Sequence, residues 1–319
     1  MIPGFKISAD GNDLTDQIKR RFQSLSVKDE AGIDSDSFSL TLFDSPPISA
    51  PSEGSRIEIA MGYGENLIDL GVFATRPVSF KGPPTLAIIE GGVVDCYPSL
   101  KDPRKKSWRP GSLGDMLRAI CSNHNLSPSL DPICETIWLS HEDQTESDAS
   151  LLARIAEQFD FIFKIQRDHL IFFDRDSFTA PSGKPIEVIK LKNFIDYDFK
   201  SGRETRFTGV KVDYWDKKTA KKHTVLSGVE GKIYAIKFMA KDEASAKIIT
   251  DAKLRKLSRS TTTLSLTIPG DPRLFSGGRA LIEALHPEIN GQWILSSVEH
   301  SLDNSGFLSK VSLEGRSVS

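Results

Sequence analysis

The chain has 319 residues, with 41 Lys and Arg against 43 Asp and Glu, and 39% of its residues are hydrophobic. This composition excludes fibrous, collagenous and disordered proteins and is typical of an ordinary folded protein. At about 100–200 residues per domain, the length indicates two or three domains. Charge is unevenly distributed: residues 1–95 hold 8 basic and 14 acidic residues, whereas residues 186–319 hold 22 basic and 16 acidic residues.

Targeting signals are absent from the sequence. No stretch approaches the roughly 18 consecutive apolar residues that a membrane span needs, and the N-terminus lacks the basic and apolar regions of a signal peptide. We therefore expect no membrane insertion and a chain that is made and kept in a cytoplasm. The three cysteines, Cys96, Cys121 and Cys134, are too few for a disulfide framework, so free and buried thiols are expected.

Residues 7–95 consist of short apolar runs separated by turn residues. In 38–43 (FSLTLF) and 56–64 (RIEIAMGYG), apolar and polar residues alternate with a period of two, which predicts strands. Further runs follow at 67–75 and 86–95. This pattern indicates an antiparallel sheet and a first small β-barrel domain over residues 1–96.

Residues 97–185 have a different texture and predict a compact α+β insert domain. Ser112 and Asp115 form a capping-box-like pair at the start of one helix, and Ser147 or Asp148 caps a second. Two strands around a polar turn follow in 161–173. The apolar residues that lie at helical spacing are Leu113, Met116, Leu117 and Ile120 in the first helix, and Leu152, Ile155 and Phe159 in the second.

Strand patterns resume after Pro185 and are interrupted by one helix, predicted over 242–259 with Asp242 or a neighbour as its cap. Its last turn is rich in Lys and Arg, which suits the helix dipole. We predict that strands from 186–230 complete the first barrel and that 231–319 form a second β-barrel domain. The predicted fold class is mainly β, with two related small antiparallel β-barrel domains interrupted by the α+β insert.

Two local patterns sharpen the prediction for the second barrel. Trp293 lies on a strand with a period of two, so its side chain is expected in the core. Residues 269–272 (PGDP) predict a rigid turn that leads into the last loop of the barrel.

Four short blocks recur along the chain in the same order, which indicates a duplicated β domain. If two similar barrels lie side by side in one chain, a closed trimer presents six similar barrels in a pseudo-sixfold ring. The net charges of −6 and +6 at the two ends of the chain suit a heterologous contact between subunits. The paired blocks are 38–44 with 264–270, 52–59 with 276–285, 70–80 with 291–300, and 86–92 with 309–315.

A family resemblance rests on the segment from Gly209 to Glu314, which begins GVKVDYWD and includes AIKFMAKDEASAKIITDAKLRKLSRSTTTLSLTIPGDP. The insert, with SLKDPRKKSW, GSLGDMLRAI and QTESDASLLARIAEQFDFIFKIQRDHLIFF, carries it too, and LGVFATRPVSFKGPPTLAIIEG fits more loosely. Over these residues the chain resembles the late control protein D family, the tail hub proteins of contractile-tailed phages. That family is related to the hub part of type VI secretion spike proteins. The chain is shorter than many members of the family, so the resemblance applies to the hub core and not to peripheral insertions and loops.

The resemblance implies a structural tail hub protein and no enzyme. It implies a homotrimer that adapts the sixfold tail tube to the threefold central spike. The implied partners are the tail tube or a distal tail protein, the spike and the tape-measure protein. The implied location is the tail baseplate of a phage or prophage virion, assembled in the host bacterial cytoplasm.

Two alternatives stay open for the function. The first is the hub of a tailocin or of a type VI-like secretion device, which the sequence does not separate from a phage hub. The second is a hub-associated cell-wall hydrolase. No HExxH pair, GxSxG elbow or phosphate-binding loop is present, so we expect neither catalytic nor cofactor-binding residues.

The nearest approach to a metal site is the set Cys121, His124, Cys134 and His141, which has the ligand types that zinc prefers. The spacing matches no common zinc module, and Cys121 could equally lie on the buried face of its helix. We therefore expect no metal.

Two kinds of charged cluster invite a functional interpretation. Acidic residues follow His141 and could be imagined as an acid and base pair, but we expect them to be solvated or to cap a helix. The basic runs 101–106 and 217–222, with Trp108 and Trp215 nearby, could contact nucleic acid. We expect solvated or subunit-contacting charges instead, with no specific nucleic-acid binding. The acidic residues are Glu142, Asp143, Glu146 and Asp148.

Overall fold

The computed structural model describes residues 2–30, 36–139, 141–201, 207–216, 219–240, 242–259 and 262–317. The α-helices are α1 (Thr15–Lys19), α2 (Leu113–Asn123), α3 (Asp148–Phe159) and α4 (Glu243–Arg259), and short 3-10 turns lie at Val94–Cys96, Pro98–Leu100 and Pro132–Glu135. Of the helices in these described ranges, none is both long enough and apolar enough to cross a membrane.

The strands follow the predicted pattern of short elements. In the N-terminal part they are β1 (Pro3–Ala9), β2 (Asn12–Asp13), β3 (Phe22–Glu30), β4 (Ser37–Phe43), β5 (Arg56–Tyr63), β6 (Asn66–Thr75), β7 (Ser79–Lys81) and β8 (Leu86–Gly92). In the middle they are β9 (Lys106–Trp108), β10 (Gly111–Ser112), β11 (Ser127–Leu130), β12 (Trp138–Leu139), β13 (Glu142–Gln144), β14 (Phe161–Gln166) and β15 (His169–Asp174). In the C-terminal part they are β16 (Val188–Leu191), β17 (Asp196–Ser201), β18 (Gly209–Asp216), β19 (Lys221–Gly228), β20 (Ile233–Ala240), β21 (Thr262–Pro269), β22 (Arg279–Ile282), β23 (Gly291–Asp303) and β24 (Gly306–Ser317).

The first unit contains six strands, β1, β3, β4, β5, β6 and β8, and β7 continues β6 beyond a short break. In the sheet their order is β3, β4, β8, β6, β5, β1, and β7 pairs with β8. The alternation read from the sequence accounts for its core: Phe38, Leu40 and Leu42 are buried, and the intervening Ser39 and Thr41 are partly exposed.

The second unit repeats this arrangement with β16, β17, β21, β22, β23 and β24. Their order in the sheet is β17, β21, β24, β23, β22, β16. Numbered along the chain within each unit, the strands follow the order second, third, sixth, fifth, fourth, first in both. One difference is that β1 pairs antiparallel with β5, whereas β16 pairs parallel with β22. The repeated blocks therefore occupy equivalent strands, which confirms the internal repeat.

One sequence-based expectation differs from the structure. Strands from 186–230 were expected to complete the first barrel, but β16 and β17 pair with β22 and β21 of the second unit. The physical reason is burial, because Ile189 and Leu191 of β16 enter the second hydrophobic core together with Trp293. The limits at residues 96, 185 and 230 stay predictions as domain boundaries.

A separate three-stranded sheet lies within the second unit's sequence, between β17 and β21. Its order is β19, β18, β20, and α4 packs against it. The Asp242 carboxylate accepts a hydrogen bond from the Ser245 amide at 2.8 Å, which caps α4 as predicted. The helix ends with Lys256 and Arg259 in its last turn.

The insert between the two units combines α2 and α3 with small sheets. Ser112 and Ser147 cap the two helices by accepting hydrogen bonds from the amides of Asp115 and Ser150, at 3.0 and 3.1 Å. The predicted hairpin is β14 and β15, and β11 adds parallel to β15. The predicted apolar residues of both helices are buried and join a hydrophobic core that is continuous with that of the first unit.

Candidate functional site

The two units are joined inside the chain by a pair of strands. β3 of the first unit pairs antiparallel with the C-terminal part of β23, from Ser24 opposite Asp303 to Glu30 opposite Ser297. Since β3 also pairs with β4, one sheet runs through both units. This β3–β23 junction holds the two units of the chain side by side.

The β3–β23 junction has a buried apolar face and a polar face. Leu25 and Val27 of β3 and Leu302 of β23 are buried. On the other face, the Ser26 hydroxyl donates to the Glu299 carboxylate at 3.0 Å. Burial of the apolar face stabilises the contact between the units, and the Ser26–Glu299 hydrogen bond links the two strands on the polar face.

His300 is a buried polar residue of the same junction. Its Nε2 lies 3.2 Å from the Leu274 carbonyl oxygen, which can only accept, and its Nδ1 lies 2.8 Å from Ser309 Oγ. Burial lowers the pKa of His300 below its usual 6.5. The ring is therefore neutral at pH 7 and acts as a satisfied structural residue.

A second contact brings the insert and both units together at Asp29. Its carboxylate pairs with the Lys164 ammonium of β14 in the insert. The other carboxylate oxygen accepts a hydrogen bond from the Ser276 amide, which precedes β22 of the second unit, at 3.1 Å. A cavity of about 430 Å³ borders this contact. Asp29 thus fixes the three parts of the chain relative to one another.

Asp36 lies next to this ion pair and is affected by it. Burial raises the pKa of Asp36 to about 7, the Lys164 ammonium opposes the rise, and the Asp29 carboxylate adds to it. The same burial would lower the pKa of Lys164, but the two carboxylates outweigh it and raise that pKa. Lys164 therefore stays charged while Asp36 titrates near neutral pH.

A network of arginines and carboxylates attaches the insert to the second unit and α4. Arg259 of α4 pairs with Asp160, and its Nη1 lies 2.8 Å from both carboxylate oxygens of Asp176. Arg175 pairs with Glu314 of β24 at 3.1 Å. The Arg259 and Asp160 side chains are only 8% and 2% exposed, so this pair forms the buried centre of the network, and Asp176 is 33% exposed at its edge.

The four zinc candidates have different surroundings in the structure. Cys121 and Cys134 are buried in the core, where burial raises their thiol pKa to about 11 and about 12. Both ring nitrogens of His124 have partners, with Nε2 2.7 Å from Asp148 and Nδ1 2.8 Å from Ser99. His141 is exposed and lies beside Asp143. Across the residues that the structure describes, no group of three or more His, Cys, Asp or Glu has the arrangement of a metal site.

The acidic cluster is engaged in local pairs. Glu142 and Glu146 both bind Arg154, and Asp143 accepts a hydrogen bond from the Ser107 hydroxyl at 2.5 Å. Asp148 is buried and accepts from Gln144 at 2.7 Å. Hydrogen bonding lowers the pKa of Asp143, so the exposed carboxylate is ionised at neutral pH. These carboxylates are therefore engaged in contacts within the insert.

Several residues of the basic runs that the structure describes make local contacts within the chain. Lys101 pairs with Asp95, and Arg104 pairs with buried Asp148. The Lys106 ammonium lies 3.5 Å from the centroid of the Trp108 ring. This ring is buried, and its Nε1 donates a hydrogen bond to Gln144. In the second run, Lys222 pairs with Asp213, and 217–218 lie outside the described residues. Trp215 is 47% exposed.

Sequence reasoning missed the strand that matters most for the junction. β3 was not among the predicted strands, although Leu25 and Val27 alternate there with Ser24, Ser26 and Lys28. This period-two pattern could have identified the strand. Trp293, predicted in the core, is 1% exposed, and its Nε1 donates to the Ile289 carbonyl at 2.8 Å.

The fold is that of phage tail proteins. A tail protein from Neisseria meningitidis is similar with a TM-score of 0.71 and 12% identity, covering 99% of this chain and 97% of that chain. The 43 kDa tail protein of prophage MuSo2 from Shewanella oneidensis gives 0.69 and 12%, covering 98% of both. A type VI secretion component of Escherichia coli, described as structurally similar to T4 tail proteins, gives 0.57 and 9%, covering 98% and 79%. The predicted fold class, mainly β with an α+β insert, is confirmed.

The particular proteins that the chain resembles are baseplate hub proteins. The probable baseplate hub protein of Escherichia phage 186 is 24% identical over 362 residues, covering 98% of this chain and 93% of that protein. Its counterpart in Escherichia phage P2 is 23% identical over 363 residues, covering 99% and 94%. No protein-family model matches the chain. The resemblance to tail hub proteins of contractile-tailed phages is confirmed.

Proposed function

We propose that this chain is a structural baseplate hub protein that works as a homotrimer. The observation that carries the proposal is the pair of six-stranded units with one strand order, set side by side through β3 and β23. Three such chains supply six similar units, so a threefold assembly can face a sixfold one. The likeness to hub proteins of phages 186 and P2 supports the same role.

The ring would connect a sixfold tail tube to a threefold central spike. Its proposed partners are a second and third copy of the chain, the tail tube or a distal tail protein, the spike and the tape-measure protein. It would lie in the tail baseplate of a virion after assembly in the host bacterial cytoplasm. The opposite net charges of the two ends of the chain, −6 and +6, support a head-to-tail subunit contact.

The oligomeric mass and the view down the axis test this proposal together. Light scattering at micromolar concentration is expected to give three times the 35.3 kDa chain mass. Negative-stain images are expected to show a threefold ring with six lobes. A monomer under these conditions would overturn the proposal.

The role is proposed to be mechanical rather than catalytic. A turbidity assay with the purified chain on peptidoglycan is expected to show no clearing above that of buffer. Clearing that survives further purification would favour a cell-wall hydrolase instead. The likeness to a type VI secretion component keeps the hub of a secretion device or tailocin as the second candidate. Capsid genes next to the gene for this chain would favour a phage.

A further inference from the structure

The β3–β23 junction defines how one unit joins the next. In terms of strand position, the fifth strand of the second unit pairs with the second strand of the first unit. Val27 of β3 lies opposite His300 of β23, and Ser26 lies opposite Ser301. Both Val27 and His300 are buried by this pairing.

The equivalent strands at the opposite ends of the chain have open edges. β7, which continues the fifth strand of the first unit, pairs with β8 on one side, and β17, the second strand of the second unit, pairs with β21 on one side. No further partner pairs with either strand within the described part of the chain. The edges carry large apolar side chains: Phe80 is 53% exposed and Tyr197 is 49% exposed. The edge strands of β-sheets in natural proteins are normally short, charged or covered, and rarely expose large apolar side chains.

Strand registers place Phe80 at the position of His300. Phe80 lies opposite Ala87 of β8, and Ala87 lies opposite Leu42 of β4. In the second unit, His300 lies opposite Ser309 of β24, which lies opposite Ile268 of β21. Leu42 and Ile268 are equivalent positions of the repeat. Phe80 is therefore exposed in the first unit, whereas His300, at the equivalent position of the second unit, is buried where β23 pairs with β3.

The same comparison places Phe199 at the position of Val27. Phe199 of β17 lies opposite Leu264 of β21, and Val27 lies opposite Phe38 of β4. Phe38 and Leu264 begin the paired blocks of the repeat. One position along, Asp198 corresponds to Ser26, which pairs across the junction in the first unit.

We propose that β7 of one subunit pairs antiparallel with β17 of the next subunit, which repeats the β3–β23 junction between chains. The occupant of each open edge is thus a second copy of this chain. Transferring the register puts Phe80 opposite Phe199 and Lys81 opposite Asp198. The inference rests on the proposed homotrimer and names the strands that close it.

The side chains on the two edges suit this register. Phe80 and Phe199 form a directly opposed aromatic pair, and Lys81 and Asp198 form a directly opposed pair of opposite charge. Both kinds of pair stabilise neighbouring antiparallel strands. The contact is heterologous, since the two strands come from different units, and a heterologous contact repeated by a closing rotation gives a ring.

Cysteine cross-linking tests the register. In a chain whose Cys96, Cys121 and Cys134 are replaced by serine or alanine, Lys81→Cys is combined with Asp198→Cys. Directly opposed residues have Cβ atoms about 4.5–5.5 Å apart, which is close to disulfide distance. Mild oxidation is expected to give covalent dimers and trimers on a non-reducing gel. The matched control combines Lys81→Cys with Ser201→Cys, three residues along and on the opposite face of β17.

Charge reversal gives a second test that needs no cysteine. Lys81→Glu places two carboxylates opposite each other and is expected to raise the dissociation constant of the subunit contact about fivefold. Adding Asp198→Lys restores an opposite pair and is expected to restore the parent value. Both positions are exposed edge residues, so the variants are expected to fold like the parent.

The outcomes separate this inference from the proposed function. A trimer by light scattering with cross-linking only in the Lys81 and Asp198 pair supports both. A trimer without that cross-link, or with equal cross-linking in the control, overturns the β7–β17 pairing and leaves the hub trimer standing. A monomer overturns the proposed trimer and the pairing with it.

Discussion

Val27 of the first unit lies directly opposite His300 of the second unit, and both side chains are buried in the sheet that the two units share. The neutral His300 ring has hydrogen-bond partners at both nitrogens, so it adds no uncompensated charge to this contact. In burial and hydrogen bonding, the junction therefore resembles the interior of a domain. Substitutions there are expected to cost as much as substitutions in a hydrophobic core.

Leu25→Ala tests the energy of the junction. Leu25 is fully buried opposite Leu302, so truncation removes apolar contacts and leaves a cavity, and the free energy of unfolding is expected to fall by about 2–5 kcal/mol. Urea denaturation followed by tryptophan fluorescence measures the change. The control is Leu226→Ala, at a residue that is 39% exposed, with an expected change within about 0.5 kcal/mol. Equal losses in the two variants would show that the junction is not a packed core.

The Arg259 and Asp160 pair is expected to show strong coupling. Arg259→Met leaves the Asp160 carboxylate buried without its main partner, which is expected to cost about 3–5 kcal/mol. Adding Asp160→Asn removes the stranded charge and is expected to recover part of the loss. Asn is suited to the position because Asp160 has a left-handed backbone, with φ of 62°.

A double-mutant cycle of urea unfolding measures this coupling. The control is Arg273→Met, because Arg273 is 53% exposed in its pair with Asp271, and its removal is expected to cost no more than about 1 kcal/mol. Additive losses from Arg259→Met and Asp160→Asn would contradict the expectation.

Asp36 is expected to make stability depend on pH. An unfolded Asp titrates near about 3.9, whereas burial raises the pKa of Asp36 to about 7 in the folded chain. The folded chain therefore holds an additional proton between these values. Protonation of Asp36 therefore contributes to the free energy of unfolding. This contribution is fully present below about pH 4 and is lost as the pH rises through about 7.

In the parent, the free energy of unfolding is expected to fall between pH 5 and pH 8. In Asp36→Asn this fall is expected to be smaller by about 1–2 kcal/mol. Urea denaturation at the two pH values measures it. Asp16→Asn serves as the control, because its side chain is 91% exposed. Parallel curves for the parent and Asp36→Asn would rule out Asp36 as the titrating group.

His124 is expected to stabilise the insert through hydrogen bonds rather than through zinc. His124→Ala leaves buried Asp148 without one partner and is expected to cost about 2 kcal/mol. His141→Ala, at an exposed residue, is the control with little effect. Zinc or a chelator is expected to leave the Tm of the parent unchanged in thermal scans. A zinc-dependent rise in Tm that Cys134→Ser abolishes would instead establish a metal site.

Local signals in the sequence predicted local structure well. Ser112 and Ser147 were identified as helix caps because a cap depends on residues within one turn of the chain. The repeat predicted that two units share one strand order. The partner of β3 could not be predicted in this way, because alternation of Leu25 and Val27 fixes which face of a strand is buried but not which strand lies beside it. The candidate zinc residues show the converse: suitable residue types near one another in sequence do not form the arrangement of a metal site among the described residues.

Because β3 is hydrogen-bonded to β4 along one edge and to β23 along the other, the two units share one continuous sheet. A force that slides one unit past the other along the strands acts on all the backbone hydrogen bonds of the β3–β23 junction at once. Such shear is resisted far better than peeling, in which the bonds break one after another. We therefore expect the chain to be stiff along the strand direction of the β3–β23 junction, a mechanical property that two domains tethered by a flexible linker would lack.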